Sequence, residues 1–568
     1  MAAVTTGAEG PRSAETVLLA GRALTMAPAA TDGPVAVVID GGCIAAVVPR
    51  ERAIEYIGRG TEVLDAGDRT VLPGFVDPHA HAEVAAKASY WMVDARAPGC
   101  ASVADVLDTL RDNLPAARDG WLVAQANLFF DQKLTDQRFP TRAELDSVSR
   151  DVAIAVRAGG HLTVLNSKAL ELAGIDDHYE AVSYSITGKP TVQRDATGVA
   201  IGVVTEMDKL LPLPVLSEQE SREALETGIT QLFTRHGVTT LGEISESTDG
   251  LRMMDAAVSA GRIGTRMHVY LWVPGTVSLD EACDHRAWSA LRSQPDRFRI
   301  HGVKIFADGG YSAANAALTR PYASHGHGCG DMAVTGAEVT AAVRRVWAAG
   351  LQLAVHANGD RAQLEVCAAI AAAGPRPDGA LPPRVEHAGN FVPDYSELTD
   401  AWRRAGIVPV PQPVFIQNFA EFLPAYVGEY ARDRQFPFRR LLDDGWPISG
   451  SSDVWVGSEQ QQTRPFFSVA CCVTRRSFHG HPIAATEKID ILDALRMHTL
   501  GGATALGEQA SRGSLETGKL ADLIIVDRDP LTVADDEIAN IHVDQVFVAG
   551  QSMHIRAPHL GSSRVKHL

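Results

Sequence analysis

Two imidazoles spaced two residues apart at the end of an apolar run can put two neutral nitrogen donors on one face. This chain does so in Val71-Leu72-Pro73-Gly74-Phe75-Val76-Asp77-Pro78-His79-Ala80-His81. Side chains alternate across a strand, so His79 and His81 leave its C-terminal end side by side. Two such imidazoles are half of a divalent-metal site. The spacing alone decides little, because it recurs at His325/His327 and His479/His481, in polar stretches bearing Gly or Pro that read as loops. Four later residues add to it. Lys304 stands among apolar neighbours in Gly302–Gly309, His356 follows Leu353-Ala354-Val355, His387 follows Arg384-Val385-Glu386, and Asp453 follows Gly450-Ser451-Ser452.

Imidazole and carboxylate suit zinc and similar ions. A lysine inside an apolar strand is costly as a bare cation, so its pKa should fall. The neutral amine can then take up carbon dioxide as a carbamate, an anion able to bridge two metals. A divalent ion lowers the pKa of the water it binds toward neutrality. Asp453 can accept that proton and pass it to a leaving amine. Each residue also has a plainer reading: His356 or His387 as a hydrogen-bonded core or loop histidine, Lys304 as a salt-bridged lysine, Asp453 as a helix N-cap.

The elements that must position these groups follow from periodicity. Apolar strands are predicted at Val71–Val76, Val238–Gly242, Met267–Trp272, Val303–Phe306, Leu351–Val355, Arg384–His387, Ile407–Pro409 and Ile448–Ser452. Helical stretches such as Gly336–Ala349, Arg361–Ala373 and Leu492–Leu500 lie between or after them. Eight strands alternating with helices predict an α/β fold of the (β/α)8 TIM-barrel type, spanning 71–510, whose active site lies at the C-terminal strand ends. The first interval is too long for one crossover, so 83–235 is read as an insertion with its own strand (Val152–Val156) and helices (Val103–Leu110, Asn166–Ala173), serving as a lid. Residues 1–70 and 511–568 read as short strands, among them Thr16–Leu19, Ala36–Ile39, Ile44–Val48, Ala521–Asp527 and Gln545–Gly550. They suggest one small β-sandwich domain assembled from both termini.

Composition sets the outer bounds. At 568 residues, with 45% hydrophobic and 21% charged residues, the chain can bury a large core. A net charge of -17 argues against nucleic acid and anionic membranes as partners. The seven scattered cysteines, without a CxxC, and the absence of a signal-like N-terminus or a spanning apolar run point to the cytoplasm. A homodimer is left open.

The order His-x-His, Lys, His, His, Asp on strands one, four, five, six and eight resembles the amidohydrolase superfamily, and within it the YtcJ-like branch that includes N-substituted formamide deformylases. The matching stretches are Leu72–His81, Gly237–Thr240, Val303–Gly309, Val355–Asp360, Val385–His387, Ser451–Asp453 and Gly518–Leu523, with Gly160-His161, Val164–Ser167 and Thr197-Gly198 leading to Glu206 inside the insertion. The resemblance implies metal ligation by His79, His81, Lys304, His356, His387 and Asp453. It also implies one divalent ion, or two if Lys304 is carbamylated, zinc being the expected metal. Asp453 is the expected general base and acid, and His161 the expected oxyanion donor. Glu206 and Glu243 are spare carboxylates, more simply read as a capping or solvated residue and a strand end. Of the aromatics Trp91, Trp121, Phe129, Phe130, Trp272, Phe415 and Trp455, a few are expected to wall the pocket. Trp91, Trp455 and Asp308 are the named substrate contacts. The expected reaction is hydrolysis of a C–N bond in a small, N-substituted, partly apolar amide. An ester, lactone or cyclic amidine is the alternative, and a non-catalytic scaffold the third reading.

Overall fold

The computed structural model describes residues 13–28, 33–182, 188–291, 294–323, 328–556 and 561–564. Seven parallel strands form the central sheet: β1 (Phe75–Ala80), β2 (Val238–Ile244), β3 (Arg266–Trp272), β4 (Phe298–Phe306), β5 (Gln352–His356), β6 (Arg384–Glu386) and β7 (Val408–Val410), paired in that order from β1 to β7. All seven are buried almost throughout, as strands covered on both faces must be.

Two strand predictions need correction. Val71–Val76 is not one strand. Thr70–Pro73 pairs with Leu523–Val526 in a peripheral sheet, and β1 begins at Phe75. The break falls at Gly74, whose N–H donates to Asp522 O and where a Cβ would strike Thr239. Nor is Ile448–Ser452 a strand. The eighth barrel position is filled by extended chain that docks on β1 through Ser452 N–H to Asp77 Oδ1 (3.1 Å), Asp453 N–H to His79 O (2.9 Å) and His81 N–H to Val454 O (3.0 Å). A side-chain carboxylate takes one acceptor position of a ladder, and Asp453 turns into the left-handed region at φ +46°. Regular pairing stops there, and the barrel is nearly closed with seven strands.

Strands from both ends of the chain build two further sheets. One runs Gly561–Arg564, Glu62–Asp65, Thr16–Ala20, Val35–Asp40, Cys43–Pro49. The other runs Arg22–Ala23, Thr70–Pro73, Leu523–Val526, Val543–Val548, Gln551–Ile555. They share an apolar layer including Leu18, Val37, Val71, Leu523 and Phe547. The turn Asp40–Cys43 uses left-handed Gly41 and Gly42 (φ +57° and +74°), as a tight hairpin requires. This layer is locked to the barrel by a buried ion pair, Arg266 to Asp522 at 3.0 and 3.1 Å. Between β1 and β2 a six-stranded sheet, Val93–Asp94 to Ala200–Thr205 and Thr191–Arg194, packs around its own core of Leu122, Ile154, Val156 and Val164.

Helix α1 (Ala82–Trp91) starts directly after His81. The first N–H groups of a helix have no internal partner. Here Glu243 at the end of β2 accepts from Ala82 N (2.7 Å) and Glu83 N (3.0 Å), so a buried carboxylate caps the helix and fixes the exit of the His-x-His strand. Burial pushes the Glu243 carboxyl well above its ordinary range.

Close approach of β1 and β2 depends on Gly242, where a Cβ would lie 1.9 Å from Pro78 O. Backbone cannot yield there as a side chain can. Gly242→Ala should destabilise the fold by about 1–3 kcal/mol, read as a lower denaturant midpoint. An unchanged midpoint would show that β1 tolerates displacement.

Candidate metal centre

His79 is the penultimate residue of β1 and His81 is the residue before α1, with ring centroids 5.5 Å apart. Asp453 reaches them from the closing segment: its Oδ1 lies 3.2 Å from His79 Nε2 and 3.6 Å from His81 Nε2. One donor atom from each of the three residues falls within 4.8 Å of the others. Lys304, fully buried on β4, places Nζ 3.4 Å from His79 Nε2 and over the Phe306 ring. His387 leaves β6 with its Nε2 2.9 Å from Nδ1 of His356 at the end of β5, and its Nδ1 3.9 Å from Asp453 Oδ2. All six expected ligands therefore meet at one end of the sheet.

The electrostatics match a cation. Burial, and then the neighbouring imidazoles and Lys304, hold His81 and His356 well below the usual histidine range. Burial brings His387 down to about 4, so these nitrogens are neutral donors. Burial lowers Lys304 to about 8 against the opposing pull of Glu386 and Asp453. Burial opposes ionisation of Asp453, yet His79, His387 and Lys304 keep it ionised below the ordinary range. His81 Nδ1 is buried without a hydrogen-bond partner among the described residues. Neutral imidazoles, one carboxylate and one poorly basic amine make a donor set that fits a divalent metal.

What aims the ligands lay beyond the expected set. Glu386 is fully buried, accepts from Arg384 Nε at 2.8 Å and receives the N–H of His79 Nδ1 in a short contact. A carboxylate can only accept here, so a proton sits on Nδ1 and Nε2 is the nitrogen turned toward Asp453. Arg384 also donates to Tyr270 Oη at 2.8 Å. Burial resists the Glu386 charge, but Arg384 and His79 hold the carboxyl far below its usual range. Gln412 does the same for His387, its Oε1 2.8 Å from Nδ1. The available sign was Arg384 and Glu386 alternating on one face of a buried strand, since such charges are rarely buried unpaired.

His161 comes from the insertion and faces the site, its ring 6.1 Å from that of His356. Its Nδ1 lies 2.9 Å from Glu206, which is fully buried at φ +53°. Glu206 is thus neither solvated nor a cap; it holds His161. Burial alone would lower this imidazole, but the Glu206 charge raises it above its ordinary value. Trp455 lies against His81 with centroids 3.6 Å apart, and its indole N–H is buried without a partner among the described residues. A cleft of about 40 Å³ opens here, walled by His81, Leu128, His161, Phe306, Phe415 and Trp455, among others.

The other named residues do not wall the cleft. Trp91 packs beside Arg118 and the insertion core. Trp121, Phe129 and Phe130 are core, and Trp272 backs Trp455. Asp308 is fully buried and accepts three backbone N–H groups, from Ala317, Asn358 and Gly359 at 2.8–2.9 Å; burial raises it to about 7. It shapes the turn after β4 and places Oδ1 3.4 Å from His356 Nε2, behind the residues that wall the cleft. His479 and His481 both hold Glu421 on an exposed loop, and His325/His327 lie outside the described residues.

Comparison with known proteins agrees with the geometry. Residues 62–554 match the model of the amidohydrolase family, and the chain belongs to that family. It is 28% identical over 539 residues to N-substituted formamide deformylase of Arthrobacter pascens, covering 91% of this chain and 94% of that protein. It is 24% identical over 536 residues to the putative amidohydrolase YtcJ of Bacillus subtilis (strain 168), covering 91% and 96%. Its fold is similar to an uncharacterised metal-dependent hydrolase from Pyrococcus horikoshii OT3, with a TM-score of 0.68 at 22% identity over 92% and 99% of the two chains.

Glu386→Gln should leave His79 unoriented and lower divalent-metal affinity roughly 10–100-fold, measured by chelator competition. Unchanged affinity would assign Glu386 to folding alone.

Proposed function

We propose that this protein is a metal-dependent amidohydrolase cleaving the C–N bond of a small N-substituted amide. The observation that carries the reading is the meeting of four imidazoles, Lys304 and ionised Asp453 at one sheet end, beside a cleft faced by an oriented histidine. His79, His81, Lys304, His356, His387 and Asp453 would hold the ion, most simply zinc, with two ions if Lys304 is carbamylated. A divalent ion bound there would acidify water and polarise the carbonyl.

The chain's own groups supply the rest. Asp453 is ionised and its side chain is 15% exposed toward the cleft, so its carboxylate can take the proton from attacking water and return it to the leaving nitrogen. His161, kept basic by Glu206, can donate Nε2–H to the carbonyl oxygen as charge develops there. The Trp455 indole N–H, without an acceptor among the described residues, is a second donor at the same wall. About 40 Å³ has room for only a few water-sized groups, which favours a formyl- or acetyl-sized acyl part. Leu128, Phe306 and Phe415 offer apolar surface to the N-substituent. The deformylase relative supports that substrate class. All seven cysteines are free thiols, which supports a cytoplasmic location, and no helix among the described residues is long and apolar enough to cross a membrane.

Assays of amine release from N-alkyl and N-aryl formamides test the substrate class; hydrolysis of esters or lactones without amide turnover would favour the alternative bond. Asp453→Asn should keep most metal while turnover falls by about 10²–10⁴-fold, and unchanged turnover refutes the proton-transfer role. Lys304→Ala should lower the metal stoichiometry if a carbamate bridges two ions; an unchanged count supports a single ion.

Glu206→Gln removes the charge that raises His161. If the protonated imidazole is the active form, the alkaline limb of the pH–rate profile should move to lower pH. A limb that stays in place excludes His161 as the titrating donor.

A further inference from the structure

A second cleft lies away from the metal centre and shares no lining residue with the catalytic cleft. It measures about 650 Å³ and is bounded by three parts of the chain: Arg235 and His236 just before β2, Gln460–Phe466 beyond Asp453, and Ile541–Val543 with His554 and Arg556 from the terminal sheet. Three arginines and three histidines therefore face one space in a chain whose net charge is -17.

The pairing of these groups sets the cleft apart. Arg556 is held by Asp527 and Asp544 at 3.7 and 3.6 Å. Arg235 and Arg464 have no carboxylate within ion-pair distance among the described residues. Arg464 donates to Gln461 Oε1 (3.2 Å) and Ala539 O (3.0 Å). Arg235 donates to His236 Nε2 (3.1 Å) and to Gln231 Oε1. Each guanidinium thus spends N–H groups on neutral acceptors and keeps donors in reserve, since it carries five. The field they create is one-signed. His236 is brought down to about 3 by burial and then by Arg235, Arg464, His554 and His542. Arg464 is itself lowered by burial and by Arg235. Two guanidinium groups that no carboxylate of the described residues compensates, across a cleft of ligand-sized volume, are arranged to accept negative charge from a ligand.

We infer that this cleft binds a small polyanion carrying phosphoryl groups, with Arg235 and Arg464 as its paired forks and His236, His542 and His554 as supporting donors. The reserve of two full positive charges, with imidazoles around them, fits a multiply charged ligand better than a monocarboxylate. This site goes beyond the amide hydrolysis proposed above and does not depend on it.

Calorimetric titration of the metal-loaded full-length protein with inorganic pyrophosphate tests the inference, with citrate as the carboxylate comparison. Wild type should show saturable pyrophosphate binding stronger than its citrate binding. Arg464→Ala and the exposed-site change Arg235→Glu should each weaken it at least tenfold while amide turnover without pyrophosphate is unchanged. Chelation of the catalytic ion would be the same in all three proteins, so the difference between them isolates the cleft. Absence of saturable binding, citrate binding as strong as pyrophosphate, or a loss smaller than tenfold in both variants would overturn it.

Discussion

Glu386 is the interaction on which the candidate metal centre depends. It is a carboxylate with no exposure to water, set between the Arg384 guanidinium and the His79 imidazole. An unpaired charge there would be strongly disfavoured, and removing Arg384 would leave one behind. As a trio the three groups fix one arrangement: Arg384 neutralises Glu386, Glu386 accepts a hydrogen bond from Nδ1–H of His79, and Nε2 is left to look at Asp453. The rest of the site follows that orientation. Lys304 approaches the same Nε2, and Asp453 docks its backbone N–H on His79 O.

The frame exists to keep those short distances. β1 carries His79 and then must turn at once into α1, and Glu243 makes that turn by capping the helix with a buried carboxylate. The closing segment gives up regular strand pairing so that Asp453 can enter at a left-handed backbone angle. His387 and Glu206 also sit at positive φ, +72° and +53°. Such angles cost roughly 1–2 kcal/mol each for residues with a Cβ, and three of them surround one site. Strain gathered where side chains must be aimed is a common mark of function.

Much of this was legible in the sequence, for a physical reason. His79, His81, His356 and His387 end apolar runs and Lys304 interrupts one, so period-two alternation places them once the strands are recognised. Asp453 was found by its order after them, although its segment is not a strand: Ile448–Ser452 is apolar enough to read as one, but Asp77 intercepts its hydrogen bonding. The break at Gly74 was hidden because both halves of Val71–Val76 are equally apolar and differ only in which sheet they join. Glu386, Gln412 and Glu206 were not assigned their tasks because each acts on a residue far away or on another strand, through a contact that local pattern does not encode. Trp91 shows the converse, since type and nearness to a strand end do not say which way a side chain faces.

The central claim is that these six side chains hold a divalent cation. Crystals of protein prepared without chelators, measured above and below the zinc absorption edge, test it most directly. The account predicts anomalous density between His79, His81 and Asp453, with a second peak between His356 and His387 and carbamate density on Lys304 Nζ if two ions bind. Protein with full hydrolytic activity and no anomalous peak among these residues would contradict it.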